Sequence, residues 1–362
     1  MWACGRCNRS PGGGDGRPRR DSRWRSGRGG ICCRTRPPAA IDRRRMSDPF
    51  PVLPNLFVVG APKSGTTAMC QYLSEHPGVF LSNPKEPFYF DTDHPMSKAK
   101  HQMHTLSDYA RLYRDADPTR HRAVGEGSTT YLQSRVAIEN LMRFNPAANV
   151  VAMIRNPIEV AHGMHGEHRR HFIEDVEDFA EAWELQETRA AGNRLPENRR
   201  MESQLQYRDV GAFGDQLERM FEHVPESQRL VIVFDDFKAD AGAAYRSVLE
   251  LCGVEDDGRT DFPKVHQARV YRSERLGRFY NDPPPMLRSI TRRATHWLKG
   301  PGRPVRNVLD TLFSSKQPRT AIDPELRRRM ADDFRPQVEK ASELLERDLS
   351  HWTAGTSAAV AG

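Results

Sequence analysis

The sequence predicts an α/β fold in which helices cover both faces of a parallel sheet, a three-layer arrangement within a single domain. Short apolar runs of strand length alternate with longer segments of helical spacing, which is typical of parallel strands joined by crossover helices. The first apolar run ends in a turn rich in Gly, Pro and hydroxyl residues that leads directly into a helical segment. No internal repeat interrupts this alternation, so one domain accounts for it.

The elements follow in chain order. The apolar runs predict strands at 56–59, 79–81, 123–126, 150–154 and 230–234. Helical spacing predicts helices at 66–76, 179–189, 210–223, 243–252 and 324–349. Pro157 directly follows the fourth strand and suits the first turn of a further helix. Residues 282–318 are rich in Pro, Gly and Arg and are predicted to be irregular.

The two ends differ in composition from the body of the chain. Residues 1–45 contain 13 Arg and three Asp, and their Gly/Arg/Pro-rich composition cannot bury enough apolar surface to fold. This leader is predicted to be disordered, and Met46 offers an alternative start to the chain. The predicted domain covers residues 50–352, and residues 353–362 form a disordered tail.

The charge and the cysteines limit the classes of function. The whole chain carries +7 and the leader +10, so the remaining residues carry −3, and the body gives no indication of a nucleic-acid partner. Four of the six cysteines lie in the leader, in a poor geometry for zinc. Cys70 and Cys252 resemble buried small residues. Without a disulfide framework or an apolar run of about 20 residues, a cytoplasmic protein without stable membrane insertion is predicted.

The turn after the first strand predicts an anion site. Lys63, Ser64, Gly65, Thr66 and Thr67 offer a cation, hydroxyls and free backbone amides at a helix N-terminus. The spacing is P-loop-like, but Lys63 precedes Gly65 by two positions and Thr66 stands where nucleotide triphosphatases carry Lys. An ATP- or GTP-dependent phosphotransferase with a variant loop is therefore the alternative, not the first interpretation.

Residues 62–67 resemble the 5′-phosphosulfate loop of the sulfotransferases that use 3′-phosphoadenosine 5′-phosphosulfate (PAPS). Arg155, with the strand before it and Asn-Pro after it, resembles the element that binds the 3′-phosphate in that family. Lys316 and Arg319 lie in a segment similar to its late basic loop. The resemblance implies PAPS as donor, adenosine 3′,5′-bisphosphate as product and no required metal. Gly163 departs from the family, which usually has Ser at this position in the 3′-phosphate subsite.

Residues 83–91 resemble the Lys-Glu-Pro-x-Phe-Phe segment of the glycan-type, heparan sulfate-like branch of this family, which suggests a bacterial member. The resemblance implies that Glu86 is the general base, because in-line sulfuryl transfer requires removal of a proton from the acceptor. Lys85 and Lys63 would neutralise the leaving phosphate. His165 is the alternative base, since another branch uses His. Phe88 stands where the glycan-type branch often has His.

The acceptor side is less specific. Glu126 and Ser128 lie in a segment that resembles the family's Glu-x-Ser-x-x-Tyr stretch, and with Asp91 they are predicted to contact the acceptor. A strand end followed by a helix cap at Ser128 explains the same residues. The acceptor is predicted to be a small molecule, a lipid or a glycan, and the oligomeric state is left open. A non-catalytic module that binds an anionic ligand or nucleic acid is a third interpretation, based on the leader and the basic residues at 288–306.

Overall fold

Five parallel strands form the centre of the fold, as the sequence predicts. The computed structural model describes residues 49–94, 103–199, 202–263 and 321–354, with the backbone of 270–271 and 314–315. The strands are β1 (Leu56–Gly60), β2 (Val79–Leu81), β3 (Ala123–Gly127), β4 (Asn149–Ile154) and β5 (Arg229–Val233). A separate antiparallel pair consists of β6 (Val270–Tyr271) and β7 (Ser314–Ser315).

The helices connect and cover the strands. Those in the first half of the chain are α1 (Thr66–Ser74), α2 (Leu106–Arg111), α3 (Ala137–Phe144) and α4 (Pro157–Arg170). The next group is α5 (Phe179–Glu184), α6 (Gln186–Ala190), α7 (Tyr207–Val210) and α8 (Phe213–His223). The last are α9 (Phe234–Ala239), α10 (Ala241–Leu251) and α11 (Pro324–Leu344). Among the residues described, no helix has the length and apolar composition needed to cross a membrane.

Alternating side chains of the central strands supply two separate cores, which explains the three layers. In β1, Phe57 and Val59 pack into one apolar cluster and Leu56 and Val58 into the other, with each of the four side chains fully buried. Successive residues of a strand face opposite sides of the sheet. A strand that is buried on both faces therefore appears in the sequence as a continuous apolar run.

The strand order creates a crevice at the carboxyl end of the sheet. The order is β2-β3-β1-β4-β5, so β1 and β4 are neighbours. The helix after β1 packs on one face through Met69 and Leu73, and the helix after β4 packs on the other through Val160 and Met164. Chain segments that leave adjacent strands toward opposite faces open a crevice between them, the usual ligand site of such sheets.

Some predicted boundaries differ from the observed ones for local reasons. The helix predicted at 179–189 is two helices, because the side-chain amide of Gln186 donates to the carbonyl of Trp183 at 2.7 Å and competes with the helical bond. The helix predicted at 210–223 is interrupted after Val210. A Cβ on Gly211 would lie 2.6 Å from the ring of Phe334, so this turn is in tight contact with α11.

Other predictions fall outside the residues described. They are the leader, most of the tail, the segment at 282–318 apart from the two residues of β7, and both Lys316 and Arg319. The domain boundaries stay predictions. Two helices near the site, α2 and α3, were not predicted. Each has fewer than nine residues, and so short an apolar period does not distinguish a helix from a loop.

Candidate active site

The turn after β1 and the end of β4 meet in the crevice. The amide of Ala61 donates to the carbonyl of Met153 at 2.6 Å. A guanidinium nitrogen of Arg155 lies 3.4 Å from the carbonyl oxygen of Lys63. The two segments predicted to bind phosphate groups are 92 residues apart in the sequence, and they are in direct contact in the fold.

The start of α1 has the geometry of an anion site. Gly65 precedes the helix with φ 92°, a left-handed conformation that glycine adopts without strain. A Cβ at this position would also lie 2.9 Å from the ring of Phe237. Gly65 has no side chain with which to cap the first turn of α1, so the amide groups of this turn are available at the positive end of the helix dipole. Ser64 and Thr66 are buried in this turn, and Thr67 is half-buried.

Lys63 forms an ion pair that the sequence does not predict. Its ammonium lies 2.5 Å from a carboxylate oxygen of Glu167, on α4. Burial alone would raise the pKa of the Glu167 carboxyl group. The charge and the hydrogen bond of Lys63, with smaller contributions from Arg170 and His171, outweigh burial and lower this pKa to about 2. The crevice therefore contains a carboxylate that stays ionised and neutralises the cation of the phosphate loop.

Arg155 lies at the end of β4 among groups that hold its side chain. Its guanidinium carbon is 4.6 Å from the centre of the Phe234 ring, a cation–π contact. Glu159, one turn along α4, lies 3.8 Å from Arg155 and 3.1 Å from Arg327 of α11. Gly163 is buried on the same helix, and its position adds no hydroxyl to this part of the site.

The segment after β2 brings a second charged pair to the crevice. The Lys85 ammonium lies 2.8 Å from a carboxylate oxygen of Glu86, and the hydroxyl of Thr129 donates to the same oxygen at 3.1 Å. Burial lowers the pKa of Lys85, but Glu86, Cys70 and Glu167 raise it above its usual value. Since Glu167 pairs with Lys63 and also acts on Lys85, the phosphate loop and the Glu86 segment share one electrostatic environment.

The three residues predicted to contact the acceptor lie beneath this surface. Glu126 is 1% exposed, and both Ser128 and Asp91 are fully buried. The hydroxyl of Thr130 donates to one oxygen of Asp91 at 2.5 Å, and the other oxygen has no partner among the residues described. Direct contact of these residues with an acceptor stays a prediction, and their burial favours an indirect role.

Because the carboxyl groups of Glu126 and Asp91 are buried, the stability of the protein is expected to depend on pH. Burial raises the pKa of Glu126 from 4.5 to about 7, although hydroxyls of Ser128, Tyr109 and Tyr131 lower it and so does Lys85. Burial also raises the pKa of Asp91 from 3.8 to about 7, with Glu126 contributing. A folded-state pKa above the unfolded one means that the stabilisation is complete at low pH and is lost as pH rises through 7.

We expect the free energy of unfolding to fall between about pH 4.5 and 7, from the ordinary pKa values of these groups to their raised ones. The loss is at most about 1.4 kcal/mol per pH unit for each group. Urea unfolding at several pH values measures this slope. Glu126→Gln should reduce the slope, because the side chain no longer loses a proton. An identical slope in the variant would show that Glu126 is not protonated in the folded protein at pH 5.

His165, the alternative base, is buried against the segment that follows α4. It is 5% exposed on α4, and its Nε2 lies 3.0 Å from the carbonyl oxygen of Val176. Its ring also packs against Phe179 and Tyr207. Burial lowers its pKa, opposed by the Val176 carbonyl and Glu174. Its role as a base stays a prediction, and it requires His165 to leave this hydrogen bond.

Sequence reasoning missed Glu167 and Thr129 as site residues. Glu167 lies twelve positions after Arg155, on the helix predicted to begin at Pro157. Its pairing with Lys63 joins residues 104 apart and depends on how α4 crosses the crevice, which no local pattern encodes. Thr129 was within the recognised segment, but only the fold shows that its hydroxyl reaches Glu86.

Comparison with known proteins gives a consistent result. A model described as the sulfotransferase family matches residues 54–258. The human bifunctional heparan sulfate N-deacetylase/N-sulfotransferase 2 is 26% identical over 211 residues, 56% of this chain and 22% of the human protein. The membrane-associated sulfotransferase kil1 of Dictyostelium discoideum is 27% identical over 107 residues, 30% of this chain and 21% of that protein. The chain matches about a fifth of the length of these curated relatives.

A solved structure supports the fold. The sulfotransferase from Alicyclobacillus acidocaldarius superposes with a TM-score of 0.61, covering 83% of this chain and 99% of that chain at 23% identity.

Proposed function

The chain belongs to the sulfotransferase family, and on that premise we propose that it transfers a sulfuryl group from PAPS to a hydroxyl or amine of an acceptor. The observation that carries the proposal is the contact between Arg155 and the backbone of Lys63 in the crevice. This contact brings together two cationic segments that suit the two phosphate-bearing ends of one nucleotide.

The residues of the crevice fit such a donor. Among the residues described, no side-chain cap occupies the amides at the start of α1, so they can bind an anion without displacing one of these groups. Lys63 would hold the 5′-phosphosulfate and Arg155 the 3′-phosphate. Lys316 and Arg319 are proposed to cover the nucleotide, as the family resemblance implies. When bound, PAPS supplies an activated sulfuryl group on a phosphate leaving group.

Glu86 is proposed to accept the proton of the acceptor. Its carboxylate is one-third exposed and therefore accessible, and Thr129 and Lys85 hold one of its oxygens, which leaves the other for the acceptor. Lys85 and Lys63 stabilise negative charge that develops on the leaving phosphate, because pre-oriented cations in a site of low polarity need little reorganisation.

The chemical class of the acceptor is proposed from the relatives. The heparan sulfate N-sulfotransferases named above make a glycan amine a concrete candidate, and a hydroxyl on a glycan, a lipid or a small molecule is the other. A panel of de-N-sulfated heparin, unsulfated heparosan and nitrophenol, each incubated with radiolabelled PAPS, distinguishes an amine from a sugar hydroxyl and from a small aromatic hydroxyl.

The donor is tested by calorimetric titration of the full chain with adenosine 3′,5′-bisphosphate, with ATP–Mg²⁺ as the alternative ligand. We expect the bisphosphate to bind and ATP–Mg²⁺ to bind weakly. Lys63→Ala should weaken bisphosphate binding by roughly 10- to 100-fold, the usual loss for one charge-assisted hydrogen bond.

Glu167→Gln is the matched control, because it removes the partner of Lys63 and keeps the cation. Since such half-exposed ion pairs contribute about 0–1 kcal/mol, the bisphosphate should bind as in the wild type or up to about fivefold more tightly. If ATP–Mg²⁺ binds and the bisphosphate does not, the result would favour the phosphotransferase alternative over PAPS-dependent transfer. Unchanged binding of the bisphosphate by Lys63→Ala would show that this loop is not part of the nucleotide site.

A further inference from the structure

Three hydroxyl groups converge on the buried carboxylate of Glu126. Tyr109 and Tyr131 donate to its Oε1 at 2.9 and 3.0 Å, and Ser128 donates to its Oε2 at 2.6 Å. Glu126 lies on β3, an interior strand of the sheet between β2 and β1. Burial of a carboxyl group is costly unless it is hydrogen-bonded, and these three donors offset part of that cost.

Two of the same hydroxyls also bind the backbone of the segment that carries Glu86. The oxygen of Tyr131 accepts from the amides of Tyr89 and Phe90 at 2.9 and 3.3 Å. The oxygen of Ser128 accepts from the amide of Phe88 at 3.4 Å. Because each hydroxyl has a single hydrogen, donation to Glu126 leaves the oxygen lone pairs facing these amides.

The backbone of the segment that carries Glu86 adopts a conformation that must be stabilised by its surroundings. Glu86 and Phe88 have φ values of 65° and 52°, a left-handed conformation that is unfavourable for residues other than glycine. Residues persist in that conformation when the surrounding structure holds them there. The bonds from Ser128 and Tyr131, together with the bond from the amide of Glu86 to the carbonyl of Gly127 at 3.1 Å, provide that hold.

We propose that Glu126 is a positioning residue for the reaction: it orients the Ser128 and Tyr131 hydroxyls, and these fix the backbone that presents Glu86 to the acceptor. This inference rests on the proposed function, in which Glu86 is the base. It assigns Glu126 a role without direct contact with the acceptor, consistent with its burial.

The test compares Tyr131→Phe with Tyr113→Phe in the full chain. Both tyrosines are fully buried in the same aromatic cluster, but the hydroxyl of Tyr113 donates to Tyr109 and bonds no amide of the segment in the part of the chain described. Hydrogen–deuterium exchange of the peptide spanning 86–90 needs no ligand. We expect Tyr131→Phe to accelerate its exchange by roughly 3- to 10-fold and Tyr113→Phe to leave it near the wild-type rate.

Kinetics give a second readout. Tyr131→Phe should lower kcat by about 10-fold without changing the KM for PAPS, since misorientation of one catalytic group affects the chemical step. In a Glu86→Gln background it should have almost no further effect, because the residue that it positions is already lost.

Glu126→Gln provides an independent variant of nearly the same size. Its carbonyl oxygen can still accept, but its NH₂ group only donates, so the bond from Ser128 or the bond from Tyr131 is lost. Exchange at Phe88 or at Tyr89 should therefore increase. Equal exchange in Tyr131→Phe and Tyr113→Phe would overturn the inference, as would a full additional loss of kcat in the Glu86→Gln background. If the wild type fails to bind the bisphosphate, the proposed function fails, and the exchange comparison still decides whether these groups hold the segment.

Discussion

Glu86→Gln is expected to lower kcat by about 100- to 10,000-fold, the range attributed to loss of a general base. Glutamine keeps the size of the side chain and one oxygen for the contacts with Lys85 and Thr129, so the segment keeps its position. Binding of adenosine 3′,5′-bisphosphate should stay within about threefold of the wild type, because the change leaves the charges of Lys63 and Arg155 intact. Sulfuryl transfer to the acceptor identified with the panel above measures the rate.

Glu184→Gln is the control for loss of an acid in an ion pair. Glu184 accepts from Arg329 at 2.7 Å on the surface between α5 and α11, and its substitution should leave kcat unchanged. An active Glu86→Gln would assign the base to another group. His165 would then be the next candidate, and it would have to give up its bond with Val176.

Gly125→Ala is expected to cost roughly 3 kcal/mol or more of unfolding free energy, at the upper end for an overpacked core. A Cβ on Gly125 would lie 1.7 Å from the carbonyl oxygen of Leu56 and 2.6 Å from its carbonyl carbon. Both are backbone atoms of the adjacent strand, which pairs with β3 at this register. They cannot move aside as a flexible side chain would, so β1 and β3 must separate. Urea unfolding measures the loss.

Gly166→Ala is the matched substitution at a position without such contacts. Gly166 is exposed within α4, and a Cβ there would meet no atom within 4 Å. It should be neutral or stabilising by up to about 1 kcal/mol, because alanine loses less entropy in a helix. Wild-type stability in Gly125→Ala would mean that β1 and β3 do not pair in this register.

The parts of the fold that were predictable are those specified by local patterns. The run at 56–59 is apolar because β1 is buried on both faces, and the turn after it is marked by Gly65 and the hydroxyl residues. The alternation of such runs with helical segments predicted the three-layer sheet, and the resemblance of residues 62–67, of residues 83–91 and of the Arg155 element to family motifs predicted the sulfotransferase family. Both predictions are confirmed, by the fold and by the family match. The assignment of Lys63, Arg155 and Glu86 to their roles stays a prediction that the experiments above decide.

What could not be predicted depends on contacts between distant segments. The pairing of Glu167 with Lys63 requires α4 to cross the crevice, and the bonds from Tyr131 to the amides of Tyr89 and Phe90 span about 40 residues. A Tyr or Glu in a sequence does not show which backbone group it will meet. Glu126 was therefore interpreted as a possible acceptor contact, although the fold places it beneath the surface.

The strand order also separates two sets of loops, one with residues proposed to bind the donor and one with residues proposed to act on the acceptor. Lys63 and Arg155, proposed to bind the two phosphate-bearing ends of the donor, follow β1 and β4, whereas Glu86 follows β2 and Tyr131 follows β3. Because β2 and β3 occupy one side of the sheet, their loops can diverge in length and sequence without disturbing the strands that serve the nucleotide. Under the proposed function, a change of acceptor therefore requires no change in the phosphate loop or in the element that carries Arg155.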